Sequence, residues 1–193
     1  MPQDFSASSF VQLIRAYYPV GLHPDEPAYD ASEEAQHRRR FLADAQSDMG
    51  AWNAFVPRVR EVLPDCSLWD STLLIYEPCY RLRVSLPHQQ PDGDRRQEVV
   101  CLLSVLAPVY VLYASYMLYT GPALEKWTRY PPLPPAFQEC EARLAGLVED
   151  TFRATRLSNE LLFTPVPDMT PPAASLALGQ ARLIDLLFTE DRW

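Results

Sequence analysis

The sequence predicts a single α+β domain over residues 1–193, with N-terminal helices, a central antiparallel β-meander of about four strands, and C-terminal helices. Apolar residues recur at helical spacing before about residue 62 and again after residue 136. Between these segments the pattern changes to alternating and continuous apolar runs, which are typical of strands. A chain of 193 residues is long enough to bury one substantial core.

The first third of the chain predicts two helices. Ser8–Tyr18 carries its apolar side chains on one face, and the proline-rich stretch Pro19–Tyr29 that follows predicts a loop. A longer helix begins at Asp30 or Ser32 and extends to about Val62.

The longer helix contains two helix-breaking residues and a basic triplet. Gly50 and Pro57 predict that it is kinked or divided. The basic triplet Arg38–Arg40 follows acidic residues by about one helical turn, so we interpret it as a set of local ion pairs. The expected acidic partners are Glu33, Glu34 and Asp44.

The middle of the chain predicts the meander. Alternation in its second strand places Arg81 and Arg83 on the face away from the apolar residues, which is the pattern of a half-buried strand. Residues 87–96 form a polar hairpin loop. The four predicted strands are Leu73–Tyr76, Tyr80–Leu86, Val99–Leu106 and Val109–Tyr119.

The uncharged run Val99–Leu124 is also long enough for a membrane helix. Pro108 interrupts it, and tyrosines, which prefer bilayer interfaces, crowd its second half, so two central strands are favoured. These tyrosines recur at every third position and cannot share one face of a strand. They form an exposed recognition surface, or another layer covers them; we favour the buried alternative.

The last third of the chain predicts helices joined by stiff connectors. A helix extends from Ala136 to about Arg156, between the proline-rich segments Tyr130–Pro135 and Phe163–Pro172. The tail, Ala173–Phe188, is ambiguous, and its apolar spacing favours a short helix.

The net charge of −8 is concentrated at the two ends. Residues 1–66 hold ten acids and six bases, residues 67–135 hold six of each, and residues 136–193 hold nine acids and five bases. An acidic surface repels phosphate backbones, so we expect no direct nucleic-acid ligand. It suits a basic protein partner, but an ordinary solvated acidic surface is the favoured interpretation of the charge alone.

Four cysteines stand far apart without a CxxC pair: Cys66, Cys79, Cys101 and Cys140. The first residues, MPQDFSASSF, lack the basic and apolar regions of a secretory signal, which predicts a cytoplasmic protein without membrane insertion. In that compartment we expect buried thiols and not disulfides.

No motif predicts a catalytic, cofactor or metal site. GxSxG, Walker A and GxGxxG patterns are absent, and His23, His37 and His88 lack metal-ligand spacing. A carboxylate pair for acid–base chemistry could come from Asp65, Asp70 and Glu77. Turn and capping roles are the stronger interpretation of those residues.

Acidic clusters are the sequence feature that best indicates a surface for binding a protein partner. Exposed acids steer a basic protein towards its inhibitor and raise the association rate. Another acidic pair, Glu190 and Asp191, lies near the C-terminus. The predicted partner-binding residues are Asp25, Glu26, Asp30, Glu33 and Glu34 in one cluster, and Glu139, Glu141, Glu149 and Asp150 in the other.

Several strings between residues 64 and 193 form a recognisable set: PDCSLWDSTLLIYEPCYRLRVSLP, VLAPVYVLYAS, RYPPLP and LGQARLIDLLFTEDRW. Together they resemble the myxobacterial immunity proteins that protect cells from transferred polymorphic or swarm-inhibition toxins. The shared residues are structural types, namely Trp, Pro, Cys and Tyr. The resemblance implies a cytoplasmic protein that binds one cognate toxin tightly and blocks it, with no chemistry of its own.

Two other classes of function remain open. One is a small hydrolase-like enzyme with scattered carboxylates, which a polar pocket holding two carboxylates of perturbed pKa would favour. The other is an oligomerising adaptor that uses the tyrosine-rich segment. The leading hypothesis is a non-catalytic immunity protein bound to a basic toxin.

Overall fold

A computed structural model describes residues 5–87, 95–120, 123–172 and 176–189. Its helices and strands form one mixed α+β domain, which confirms the predicted class. The helices are α1 (Ala7–Ile14), α2 (Pro27–Ala31), α3 (Glu33–Ser47), α4 (Gly50–Val62), α5 (Pro135–Phe152), α6 (Asn159–Leu162) and α7 (Leu183–Leu187). The strands are β1 (Ser67–Asp70), β2 (Cys79–Ser85), β3 (Arg95–Ser104), β4 (Val109–Thr120), β5 (Ala123–Arg129) and β6 (Thr155–Arg156).

The sheet is an antiparallel meander in the order β1-β2-β3-β4-β5. One long edge of β4 pairs with β3. The other edge is shared, since β5 pairs with residues 114–120 while the short β6 runs parallel to Val109 and Tyr110. A segment that follows α5 therefore returns to the middle of the sheet.

Three of the four predicted strands are present, and the first is wrong. Leu73–Tyr76 forms a turn, closed by bonds from the backbone N–H groups of Tyr76 and Glu77 to the carbonyl of Leu73, at 2.9 and 3.0 Å. Of its four side chains only Leu74 is buried, so this apolar run does not pack as a strand. The strands β1 and β5 were not predicted, because both are mostly exposed and lack an apolar pattern.

Apolar layers cover both faces of the central strands. One layer includes side chains of α1, α6 and α7, and the other includes side chains of α4 and α5. Tyr110 and Tyr113 are both fully buried although they belong to opposite layers. The expectation that another layer covers these tyrosines is therefore correct for this pair, whereas Tyr119 is exposed.

The predicted helices are present with altered boundaries. The long N-terminal helix is divided into α3 and α4, and Pro57 lies inside α4. Within the segment predicted as a loop, Pro27 begins the short α2. After α5, Arg153 adopts a left-handed backbone with φ of 53° and ends the helix.

The run Val99–Leu124 contributes to β3, β4 and β5, and its described residues form no helix. Among the helices of the described ranges, none is long and apolar enough to cross a membrane. The predicted 87–96 hairpin loop lies mainly outside the described residues, and its last two residues begin β3. The predicted tail helix is reduced to α7, and residues 173–175 also lie outside that description.

Burial of Arg81 and Arg83 corrects the half-buried interpretation of β2. Their side chains are only 6% and 8% exposed, because a second layer covers the face that the alternation assigned to solvent. Arg83 Nε donates to Glu98 Oε2 at 2.6 Å, and Ser85 donates to the other oxygen of Glu98 at 3.0 Å. The sheet thus contains a buried salt bridge between Arg83 and Glu98. Loss of either partner would leave the other charge buried without its counter-ion, which is strongly destabilising.

The four cysteines are free thiols, as the compartment argument predicted. Burial raises the pKa of Cys101 to about 12 and that of Cys140 to about 12, and it also raises the pKa of Cys79. Cys66 is half-buried, and its pKa is raised by partial burial and by the nearby Asp65. A pKa raised by three units lowers the thiolate fraction at neutral pH about a thousandfold.

We therefore expect Cys66 to react first when the native protein meets iodoacetamide at pH 8. The three buried thiols should react only when the chain opens. Mass spectrometry of peptides after timed quenching gives each rate, and urea-unfolded protein provides the control in which all four react alike. Modification of Cys79 or Cys101 as fast as Cys66 would contradict this burial pattern.

Candidate functional site

An exposed apolar turn connects β1 to β2. Within this turn, residues 71–78, the side chains of Leu73, Ile75 and Tyr76 are 51%, 59% and 59% exposed. Trp69 on the neighbouring β1 is 55% exposed. Large apolar side chains grouped on a surface mark a contact site more often than isolated ones do. We call residues 71–78 the apolar loop.

The apolar loop is fixed at both ends and at its centre. Thr72 N donates to Asp70 Oδ1 at 3.1 Å, and the Thr72 hydroxyl accepts from the backbone N–H of Arg81 at 2.9 Å. Buried Leu74 anchors its middle, and Arg38 donates to the carbonyl of Tyr76 at 2.6 Å. A loop held in this way presents its side chains with little entropy left to lose on binding.

The helix that holds the apolar loop, α3, also carries two acids of the first cluster, Glu33 and Glu34. Ser32 caps α3 by accepting from Ala35 N at 3.1 Å, and Glu33 and Glu34 occupy the first helical turn. Glu34 lies one helical turn before Arg38, whose guanidinium reaches the loop. Arg38 therefore links α3, the helix whose first turn holds Glu33 and Glu34, to the apolar loop.

The acids of this first cluster differ in exposure and pairing. The side chain of Asp25 is 92% exposed and lies 3.4 Å from His23 Nδ1, whereas Asp30 pairs with Arg39 at 2.6 Å. Glu26 accepts a hydrogen bond from the backbone N–H of His23 at 2.6 Å. Exposed members of the cluster are Asp25, Glu26, Asp30 and Glu33, while Glu34 is half-buried.

The second acidic cluster lies on α5, which packs with α4 against the opposite face of the sheet. Glu139 pairs with Arg143 at 2.6 Å, and Glu141, only 13% exposed, pairs with Arg156. Glu149 accepts from the hydroxyl of Tyr110 at 2.6 Å, and Asp150 is exposed. Three of the four acids in this cluster thus make bonds within the domain. The C-terminal pair, Glu190 and Asp191, lies outside the described residues.

A cavity of about 90 Å³ lies beneath the apolar loop. It combines apolar walls with groups of both charges, and two of its members, Tyr76 and Pro172, are exposed and mark its mouth. Its lining residues are Tyr18, Arg38, Tyr76, Glu77, Pro78, Pro171, Pro172, Asp185, Phe188 and Thr189.

Arg38 is the cation of this cavity and is 4% exposed. Its Nε donates to the Tyr18 hydroxyl at 3.3 Å, its Nη2 donates to the Tyr76 carbonyl, and its guanidinium lies 5.4 Å from the Tyr18 ring centre. No carboxylate within the described ranges forms a salt bridge with it. The predicted partners Glu33, Glu34 and Asp44 were wrong for this triplet, because Arg38 points inward and Arg39 pairs with Asp30.

The opposite wall contains a hydrogen-bonded network. Arg81 Nη2 donates to Glu77 Oε1 at 2.7 Å and to the Thr189 hydroxyl at 3.0 Å. That hydroxyl in turn donates to Glu77 Oε1 at 2.6 Å. Asp185 accepts from the backbone N–H of Arg182 at 2.8 Å at the start of α7.

Tyr18 connects the two walls. Its hydroxyl donates to the Leu186 carbonyl at 2.7 Å while accepting from Arg38. Burial raises the pKa of Tyr18, and the nearby Arg38 guanidinium lowers it by a smaller amount. The phenol therefore stays neutral across the physiological range and acts as a donor.

The three carboxylates considered for acid–base chemistry do not come together. Asp70 accepts from Trp52 Nε1 at 2.9 Å on the α4 side of the sheet, and Asp65 is exposed. Glu77 binds Arg81 and Thr189 on the α7 side. Within the described part of the chain, no group of three or more His, Cys, Asp or Glu side chains could hold a metal ion.

Sequence reasoning missed Tyr18, Arg38, Asp185 and Thr189 as members of one cavity. A signal for Arg38 existed, since Ala35, Arg38 and Leu42 occupy the buried positions of α3 at helical spacing. The other members come from segments far apart in the chain, and periodicity carries no information about such contacts.

Comparisons with known proteins find no match: no protein-family model fits the chain, and no curated protein or solved structure is significantly similar to it. Functional inference must therefore start from the geometry of the apolar loop, the acidic clusters and the cavity. Of these, the apolar loop is joined by the Arg38–Tyr76 bond to α3, whose first turn holds Glu33 and Glu34.

Proposed function

We propose that this chain is a cytoplasmic immunity protein, which binds a cognate basic toxin and neutralises it by occlusion, without catalysis. The observation that carries the proposal is the exposed apolar loop, which Arg38 of α3 holds in place, with Glu33 and Glu34 in the first turn of the same helix. An apolar centre with a charged rim is the usual anatomy of a specific protein interface.

The exposed side chains of the apolar loop supply the binding energy in this proposal. Aromatic residues that become desolvated at the centre of an interface dominate affinity, and Tyr76 and Trp69 are residues of that kind. The loop is fixed before binding, because Arg38, Thr72 and Leu74 hold it in place.

The acids of the first cluster supply steering. Asp25 and Glu33 are exposed, and neither forms a salt bridge with an arginine or lysine of the described chain. Their field attracts a basic surface and disfavours acidic partners. The acidic cluster on α5 stays a second predicted partner-binding surface. Charge-reversal variants of the two clusters distinguish between these surfaces.

Co-expression tests the proposal directly. The chain is produced with the polypeptide encoded by the adjacent gene, and host growth is followed with and without it. Rescue of growth, together with a 1:1 complex eluting at low salt, is the expected result. Unrescued toxicity, or rescue without any complex, would overturn the proposal.

Charge reversal provides a prediction about rate. We expect the Asp25→Lys/Glu33→Lys variant to associate roughly tenfold more slowly than wild type at low salt, with the difference shrinking as salt rises. Stopped-flow binding at several ionic strengths measures this.

Glu139→Lys/Asp150→Lys is the matched control, since it changes the net charge by the same amount on α5. A similar slowing in both variants would mean that only total charge matters. Slowing in the α5 variant alone would assign the interface to the second cluster.

The hydrolase-like alternative has one observation in its favour, the pair of carboxylates Glu77 and Asp185 in a single cavity. Glu77 accepts bonds from Arg81 and Thr189 within the domain, and Asp185 caps α7. These contacts give both side chains a structural role. The cavity therefore favours a binding protein over an enzyme that uses acid–base chemistry.

The adaptor alternative rests on exposed apolar side chains at the opposite edge of the sheet, the β4–β5 patch, in which Tyr119 and Leu124 share one face and Trp127 lies on the other. Tyr119, Leu124 and Trp127 are 39%, 42% and 45% exposed on β4 and β5. Lys126 lies on the same edge strand, and a lysine there opposes pairing between sheets. This patch is thus the weaker candidate for a docking surface.

A further inference from the structure

The outer edge of β5 has no part in the proposed binding of a toxin. One edge of Ala123–Arg129 pairs with β4, and within the described ranges no strand pairs with its other edge. An unpaired edge presents backbone N–H and C=O groups that can bond to another strand. The side chains of β5 therefore decide whether a further strand is excluded or selected.

The side chains of β5 carry charges that its own domain does not use. Glu125, Lys126 and Arg129 are exposed, and none of them forms a salt bridge within the described part of the chain. Trp127 is 45% exposed, although its ring stacks on Tyr116 with centroids 5.2 Å apart. The strand thus offers an anion, two cations and an aromatic ring to a partner.

A second copy of the chain would meet strict rules at this edge. Two identical strands pair antiparallel about a two-fold axis, and residues opposite each other share one face of the sheet. One residue of β5 must therefore lie on the axis, opposite its own copy. An axis at Glu125 places two carboxylates opposite each other, and an axis at Lys126 places two ammonium groups opposite each other. Like charges directly opposite are destabilising.

An axis at Trp127 brings opposite charges together. Glu125 then lies opposite Arg129 of the second copy, and by symmetry Arg129 lies opposite the Glu125 of that copy. Trp127 meets its own copy on the axis, which covers a ring that the single chain leaves partly exposed. Lys126 lies opposite Thr128, so the lysine that opposes other registers is compatible with this one. Axes nearer the ends of the strand would pair fewer residues.

We propose that a second copy of this chain pairs antiparallel with β5, with Trp127 on the two-fold axis, so that two sheets become one continuous sheet. The apolar loop follows β1, at the other end of the strand order, and each copy keeps it free. Self-association goes beyond the proposed function and does not depend on it. A toxin would still bind at one molecule per chain.

Sedimentation equilibrium of the full chain tests the proposal. The mean mass should rise with protein concentration from 22.0 kDa towards twice that value. Glu125→Arg or Arg129→Glu places like charges opposite each other at two positions, and each should weaken the dimer roughly tenfold or more. A wild type that stays monomeric at millimolar concentration would overturn the proposal and leave this edge to an extended segment of another protein.

Mixing the two variants distinguishes charge pairing from a failure to fold. The Glu125→Arg chain brings two arginines to the paired strands and the Arg129→Glu chain brings two glutamates, so the mixture restores both pairs of opposite charges. Each variant alone should be mainly monomeric, and the mixture should form a 1:1 heterodimer. Variants that associate no better when mixed than when alone would contradict this register.

Lys126→Glu is the matched control, because it changes the net charge by the same amount as Arg129→Glu and lies on the same strand. Lys126 faces the uncharged Thr128 of the second copy in the proposed register, so the Kd of the dimer should stay nearly unchanged. A loss as large as that of Arg129→Glu would show that total charge governs association, and would overturn the assigned register.

Discussion

Replacing Glu98 with alanine should destabilise the protein by about 3–5 kcal/mol, because it leaves the Arg83 guanidinium buried without this carboxylate. Glu98 is 1% exposed and accepts from both Arg83 and Ser85. In a chain of this size the loss corresponds to a fall in Tm of about 10 °C. Urea unfolding followed by far-UV circular dichroism gives the free energy of unfolding directly.

Two controls separate burial from charge in this experiment. The double variant Arg83→Met/Glu98→Leu removes both charges and should recover most of the loss, since apolar replacements of buried pairs are often neutral. Glu139→Ala breaks the exposed pair with Arg143 and should cost at most about 1 kcal/mol. A Glu98→Ala cost as small as that of Glu139→Ala would contradict a paired, desolvated Arg83.

The double variant Ile75→Ala/Tyr76→Ala should weaken toxin binding at least about thirtyfold, because truncating one central hot-spot residue costs about 2 kcal/mol or more. The Arg38 bond goes to the Tyr76 backbone carbonyl, so alanine leaves it intact. Both side chains are 59% exposed, and their removal should leave the free energy of unfolding nearly unchanged. Calorimetric titration measures the affinity.

Tyr119→Ala/Leu124→Ala is the matched control, because it removes an aromatic and an aliphatic side chain that are also exposed, but at the opposite edge of the sheet. We expect it to bind as wild type does. If the control variant loses affinity and the loop variant does not, the β4–β5 patch is the interface and the proposed surface is wrong.

The sequence predicted the elements whose apolar side chains follow a regular period. Strands β2, β3 and β4 and helices α1, α3, α4 and α5 carry such patterns, so their existence was predictable. The edge strands β1 and β5 face solvent on most of their positions, and no pattern marks them. Leu73–Tyr76 was wrongly predicted as a strand because it is an apolar run, whereas three of its four side chains are exposed and only Leu74 is buried.

The candidate site was less predictable than the fold, for a physical reason. A charged residue in an alternating strand normally indicates solvent, and Arg81 and Arg83 are exceptions because a second layer covers them. Arg38, in contrast, occupies an inward position of α3 that the spacing of Ala35 and Leu42 indicates. Its contacts with Tyr76 and the cavity depend on long-range packing, which a single sequence does not encode locally.

The layer that α7 completes has a consequence for the order of events during synthesis. Residues 183–189 are all buried, and Leu183, Ile184, Leu186 and Leu187 pack with α1 on the same face of the sheet. The ribosome makes the whole meander before it makes these residues, so one apolar face of the nascent sheet, which α1 covers only in part, stays incomplete until they emerge. The α4–α5 side can assemble earlier, which makes the α7 face the surface that a chaperone must shield on the growing chain.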